Sequence, residues 1–78
     1  MLGGFRSPWF EEQKEIGHVI TTLQQEQTLA KKYVDQALTG NWSNYRDCHV
    51  KPGLVLIYKI ESGVLKLARI GSHSELFR

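Results

Sequence analysis

One cysteine stands in 78 residues, and nowhere does an apolar run approach the roughly 20 residues that a membrane span needs. Lone Cys48 can form no internal disulfide, which fits a reducing compartment. The opening residues, MLGGFRSPWF, lack the long apolar segment of a signal peptide. The three histidines are far apart in sequence, so no Cys/His cluster has zinc-site spacing. Also missing are a Gly-rich phosphate loop, a Walker pattern, a Ser-His-Asp order, internal repeats and low-complexity segments. These absences predict a soluble, cytoplasmic chain with no metal and no cofactor.

What is present suits a small globular domain. The hydrophobic fraction is 41% and the charged fraction 23%, which argues against disorder. The length allows one domain, spanning 1–78, and a domain of this size buries only about 60% of its unfolded surface. The net charge of +2 is unevenly spread. Residues 1–39 hold four basic and five acidic side chains, net −1, and residues 40–78 hold six and three, net +3. The basic half also carries His49 and His73. A phosphate-bearing partner such as nucleic acid matches that half; so small an excess also arises by chance.

Along the chain, residues 1–6 read as loose, within a loose N-terminus of 1–7. Ser7-Pro8 suits a helix start, with Ser as N-cap and Pro in the first turn. Ile16, Val19, Ile20 and Leu23 form one apolar stripe that Trp9 extends, so a helix is predicted over about 8–25. Residues 24–39 fit either a second short helix or an irregular segment that packs Leu29, Tyr33 and Leu38; 8–39 together form the helical layer. From residue 40 the period changes to that of a sheet. Tyr45–Val50 is a strand, Lys51-Pro52-Gly53-Leu54 a type II turn, Leu54–Glu61 a central strand, and Val64–Ile70 a third strand closed by Gly71. Strict alternation sets Leu65, Leu67 and Arg69 on one face of that third strand. The tail from Ser72 adds a short strand or lies along the sheet. The fold class is α+β: one or two N-terminal helices on a three- to four-stranded antiparallel sheet.

His49 and His73 are the leading chemical pair, because two imidazoles can divide base and acid roles near neutral pH; each could equally end a strand in solvent. Arg69, on the apolar side or its margin, needs a partner: Asp47, Glu75 or a phosphate. Arg46-Asp47 reads as a structural ion pair or turn anchor. Phe77 could stack on a base or plug the core, and Trp42 serves as core or lid. Cys48 alternates away from Asp47 and His49 and reads as a buried small residue. His18 reads as a solvent-exposed helix residue.

The run GNWSNYRDCHVKPGLVLIYK and the closing VLKLARIGSHSELF resemble the YafQ-like branch of the RelE/ParE toxin superfamily over about residues 29–77. That resemblance implies a RelE-like fold and a metal-free ribonuclease that cleaves mRNA at the ribosome and is held inactive by a cognate antitoxin. It implies His49, His73 and Arg69 as catalytic residues, with Phe77, Lys51 and Arg46 as RNA contacts. The chain departs from many relatives at Gln36, where they have His, at Gly53, where they have Asp, and at Leu54, where Trp is frequent. The family's first strand is missing or altered in MLGGFRSPW, which would expose a sheet edge and invite a homodimer. The alternative implied by these departures is an impaired relative that binds antitoxin or RNA without cleaving. A plain RNA-binding module is a third reading.

Overall fold

The computed structural model describes residues 8–77, with the side chains described from Phe10 onward. The expectations of a loose 1–7, of Ser7 as N-cap and of Trp9 extending the stripe lie outside that range. Helix α1 runs Pro8–Gln24. Its stripe is buried as its spacing requires: Val19 and Leu23 are fully packed, with Ile16 against them.

The end of α1 is set by backbone geometry. Glu26 takes a left-handed φ of 57°. The Gln27 N–H reaches the Thr22 carbonyl at 3.1 Å and the Glu26 N–H reaches that of Leu23 at 3.0 Å. These two bonds make a Schellman stop, with a glutamate in the position that favours glycine. No second α-helix follows. A single 3₁₀ turn at Lys31–Tyr33 brings Tyr33 into the core beside Leu29, so the irregular alternative describes this segment.

Four antiparallel strands follow in the order β1-β2-β3-β4. They are β1 (Gln36–Ala37), β2 (Arg46–Lys51), β3 (Leu54–Glu61) and β4 (Val64–Gly71). A 3₁₀ turn at Gly40–Trp42 links β1 to β2, and there the half-buried Trp42 packs edge-on against Tyr45 at 5.2 Å. The turn between β2 and β3 uses Pro52 and Gly53, with Gly53 at φ +85° where any side chain would be strained. Strand β3 is an inner strand, so Val55, Leu56, Ile57 and Tyr58 are all buried. On the α1 side of the sheet, Cys48, Val50, Leu56 and Tyr58 join Val19, Leu23, Leu29 and Tyr33 in one core.

Two expectations are corrected. The tail folds as a helical turn, α2 (His73–Leu76), rather than a strand. Its cause is a capping box: the Glu75 N–H donates to Ser72 Oγ at 3.2 Å, and the Ser72 N–H donates to Glu75 Oε1 at 2.8 Å. The regular alternation of β4 also fails. Ile57 pairs with Arg69 and Tyr58 with Leu67, leaving Ala68 as a bulge. Leu65 and Leu67 therefore share the α1 side with Tyr58, and Arg69 turns to the opposite face. Among the described residues, no helix is long and apolar enough to cross a membrane.

Candidate functional site

The face of the sheet opposite α1 is assembled by register. Gln36 on β1 pairs with Asp47 on β2, Asp47 with Ile57 on β3, and Ile57 with Arg69 on β4. One cross-strand row thus reads Gln36, Asp47, Ile57, Arg69. In the next row on the same face, His49 pairs with Val55 and Val55 with Gly71. His49 and Gly71 are two strand spacings apart, roughly 10 Å. Two residues beyond Gly71 comes His73, the first residue of α2. The register thereby brings His49, Arg69 and His73 to one region. No hydrogen bond joins the two histidines, and Val55, which pairs with both His49 and Gly71, is buried.

α2 is held close to that surface by a glycine. A Cβ at Gly71 would lie 2.9 Å from Glu75 Oε1 and 3.5 Å from Leu76 Cδ2. Within the turn, His73 and Phe77 pack with ring centroids 4.7 Å apart. The hydrogen bond from the Ser72 N–H holds the Glu75 carboxyl below its ordinary pKa, so the cap is anionic at neutral pH.

The cations expected to meet RNA are divided. Arg69 is exposed and has no ion-pair partner among the described residues, which removes the suggested bridges to Asp47 and Glu75. Arg46 projects to the α1 side, and its Nε donates to Asp35 Oδ1 at 3.1 Å. The Tyr58 hydroxyl donates to the same oxygen at 2.7 Å. The expected Arg46–Asp47 ion pair is therefore absent; the partner is Asp35. Lys51 sits at the rim in an ion pair with Glu12 at 2.7 Å. Beside it a groove of about 560 Å³ is lined by His49, Lys51, Pro52, Lys32, Tyr33 and Glu15. The Tyr33 hydroxyl donates to Glu15 there.

Cys48 faces the core with no exposure, and burial pushes its thiol up to about 12. It has no place in the chemistry of the opposite face, as alternation predicts. His18 is exposed on α1, with its ring 6.1 Å from that of Tyr33. The residue the sequence reading underrated is Asp47. It is 2% exposed, and its Oδ1 has no hydrogen-bond partner. The signal was available, since the alternation that buries Cys48 in the core also sets Asp47 and His49 together on the other face.

The family sequence model described as "Bacterial toxin of type II toxin-antitoxin system, YafQ" matches residues 9–78. The mRNA interferase toxin YafQ of Escherichia coli K12 is 47% identical over 49 residues, covering 63% of this chain and 53% of that protein. The chain thus spans about half the length of the curated relatives it matches. A copper-bound mutant toxin from Helicobacter pylori superposes with a TM-score of 0.80 at 39% identity, over 97% of this chain and 80% of that one. The copper is that protein's: among the described residues here, no three His, Cys, Asp or Glu side chains gather to hold a metal ion. A structure of the E. coli DinJ-YafQ complex aligns with a TM-score of 0.75 at 34% identity, over 85% of this chain and 74% of that one. One main helix on a four-stranded antiparallel sheet, and a family match across nearly the whole sequence, lead to one conclusion: the chain belongs to the YafQ family of bacterial toxins of type II toxin–antitoxin systems.

Proposed function

We propose that this chain is an endoribonuclease toxin that cleaves mRNA in the ribosome, in the cytoplasm, and that a cognate antitoxin holds it inactive. The observation that carries this reading is the cross-strand register, which sets His49 and Arg69 on one sheet face and leads through Gly71 to His73. In the proposed reaction one histidine removes the proton of an RNA 2′-hydroxyl. O2′ then attacks the adjacent phosphorus, and the bond from phosphorus to O5′ breaks. The other histidine protonates the departing O5′, leaving a 2′,3′-cyclic phosphate and a 5′-hydroxyl end. Arg69 offsets the charge that develops on the phosphoryl oxygens. Phe77, packed on His73, restricts that ring and offers a face to a base. Lys51 at the rim contributes a cation toward the message once Glu12 yields it; Arg46, spent on Asp35, is the weakest of the proposed RNA contacts.

The test is a purified translation assay. The wild-type chain should generate message fragments with 5′-hydroxyl ends, and His73→Ala should reduce the cleavage rate by about 100-fold or more. Intact message in the presence of folded wild-type protein would sink the enzymatic reading. It would leave the second reading, a relative that binds antitoxin or RNA without cutting. That reading is favoured by Gln36, which occupies the row of Asp47 and Arg69 at a position where many relatives have histidine. The antitoxin is tested separately, by co-purification with the product of an adjacent small gene. The relation is suggested by the E. coli DinJ-YafQ complex.

A further inference from the structure

We propose that Asp47 becomes a positioning residue for Arg69 when a phosphodiester binds, forming a contact that is absent from this structure and that turns the guanidinium toward the phosphate. The inference rests on Arg69 as the phosphate-holding group of the reading above.

Asp47 is 2% exposed, and Oδ1 has no hydrogen-bond donor from the protein. A buried carboxylate left in that state opposes folding, and a domain this small has little stability to spare. Unsatisfied buried groups of this kind concentrate where function requires them. The obvious donor is already engaged, because Arg46, its neighbour in sequence, lies on the other face in an ion pair with Asp35. Arg69 is the remaining cation in the same row. Ile57 alone stands between them, so their backbones are two strand spacings apart, roughly 10 Å. An arginine side chain covers most of that distance.

The bulge gives the second argument. With regular alternation, Ala68 would pair with Ile57 and Arg69 would face α1. The extra residue turns Arg69 onto the face of Asp47 instead. Bulges re-aim single side chains in this way near active sites. A guanidinium has five N–H donors in a planar fork. It can therefore present one edge to Asp47 and the other to a phosphate. When a phosphodiester binds, the carboxylate sets the plane of the fork, and the guanidinium orders between the two anions.

The experiment uses the full chain and an all-deoxy dinucleotide, which carries a phosphodiester but no 2′-hydroxyl and so cannot be cleaved. In the wild type, adding the dinucleotide should sharpen the Arg69 Nε–H signal in an NMR titration and shift the Asp47 carboxyl signal. Asp47→Asn should leave Arg69 in fast exchange, and Arg69→Gln should leave the Asp47 signal unmoved. In cleavage of message, Asp47→Asn should lower kcat about tenfold with KM nearly unchanged, and should cost nothing further in an Arg69→Gln background. The proposal is overturned if Arg69 orders equally well in Asp47→Asn, or if the two losses multiply. If Asp47→Asn does not fold, the Arg69→Gln titration still decides. If the wild type proves unable to cleave, the proposed function fails while the NMR arm still tests the pair.

Discussion

At the scale of single residues, position on a strand separates reactive from inert groups. Cys48 and His49 are neighbours in sequence, yet they face opposite sides of the sheet. The cysteine meets Tyr33, Leu56 and Val19 in the core, where burial, with smaller contributions from the Asp35 and Asp47 charges, pushes its thiol up to about 12. A thiol in that environment is neither exposed nor ionised near neutral pH. An aromatic disulfide reagent should therefore leave the native protein unmodified over minutes and label Cys48 fully once denaturant is added, as read by mass. Prompt labelling under native conditions would contradict the packing. His49 is half-buried on the other face.

At the scale of elements, much was legible and the gaps have physical causes. The stripe Ile16, Val19, Ile20, Leu23 identified α1, and β-branched density identified β3 to the residue. What escaped was geometry that a periodic reading excludes. The Schellman stop at Glu26 was hidden because glutamate is an unusual residue for a left-handed position. Glu26→Gly removes that strain and should raise stability by about 1 kcal/mol, seen as a higher denaturation midpoint with unchanged slope. The capping box at Ser72 and Glu75 is spelled by Ser-x-x-Glu in the sequence, but it directly follows a strand, whose period favours more strand. The bulge at Ala68 could not be read from one strand alone, since it is defined by the partner's register. It carries its own prediction. Deleting Ala68 leaves Leu67 opposite Tyr58 and Arg69 opposite Ile57, now in regular alternation. The shortened chain should fold and keep cleavage within about tenfold of wild type, because Arg69 stays on the same face. Loss of activity equal to that of Arg69→Ala would show that the bulge does more than set direction. Replacing Ala68 by a bulky residue would then separate crowding from register.

At the scale of the whole molecule, three weak acids are tied into the core in their neutral forms. Cys48 rises from an ordinary 9.0 to about 12. Tyr33 rises from 10.0 to about 12, first through its hydrogen bond to Glu15 and then through burial. Tyr58 is raised above the ordinary phenol value, first by burial and then by its hydrogen bond to Asp35. All three contribute in the same direction. Below their unfolded values the groups are protonated in both states, so stability is independent of them. As pH climbs through those values, the unfolded chain loses protons that the folded chain retains. The unfolded state then binds fewer protons, and unfolding becomes steadily more favourable. Each group contributes about 1.4 kcal/mol per pH unit within its window. The thiol and Tyr33 together should remove on the order of 4 kcal/mol by about pH 11. That approaches the entire stability expected of a 78-residue domain. Thermal melts followed by far-ultraviolet circular dichroism should accordingly show a flat midpoint from neutral pH to about 8.5 and a steep fall above 9. In a Tyr45→Phe chain, which leaves Tyr33 and Tyr58 as the tyrosines, tyrosinate absorbance should appear together with the loss of helix signal rather than before it. Ionisation of these two tyrosines well ahead of unfolding would mean that the Tyr33–Glu15 link, from the 3₁₀ turn to α1, and the Tyr58–Asp35 link, from β3 to the segment before β1, open without the core.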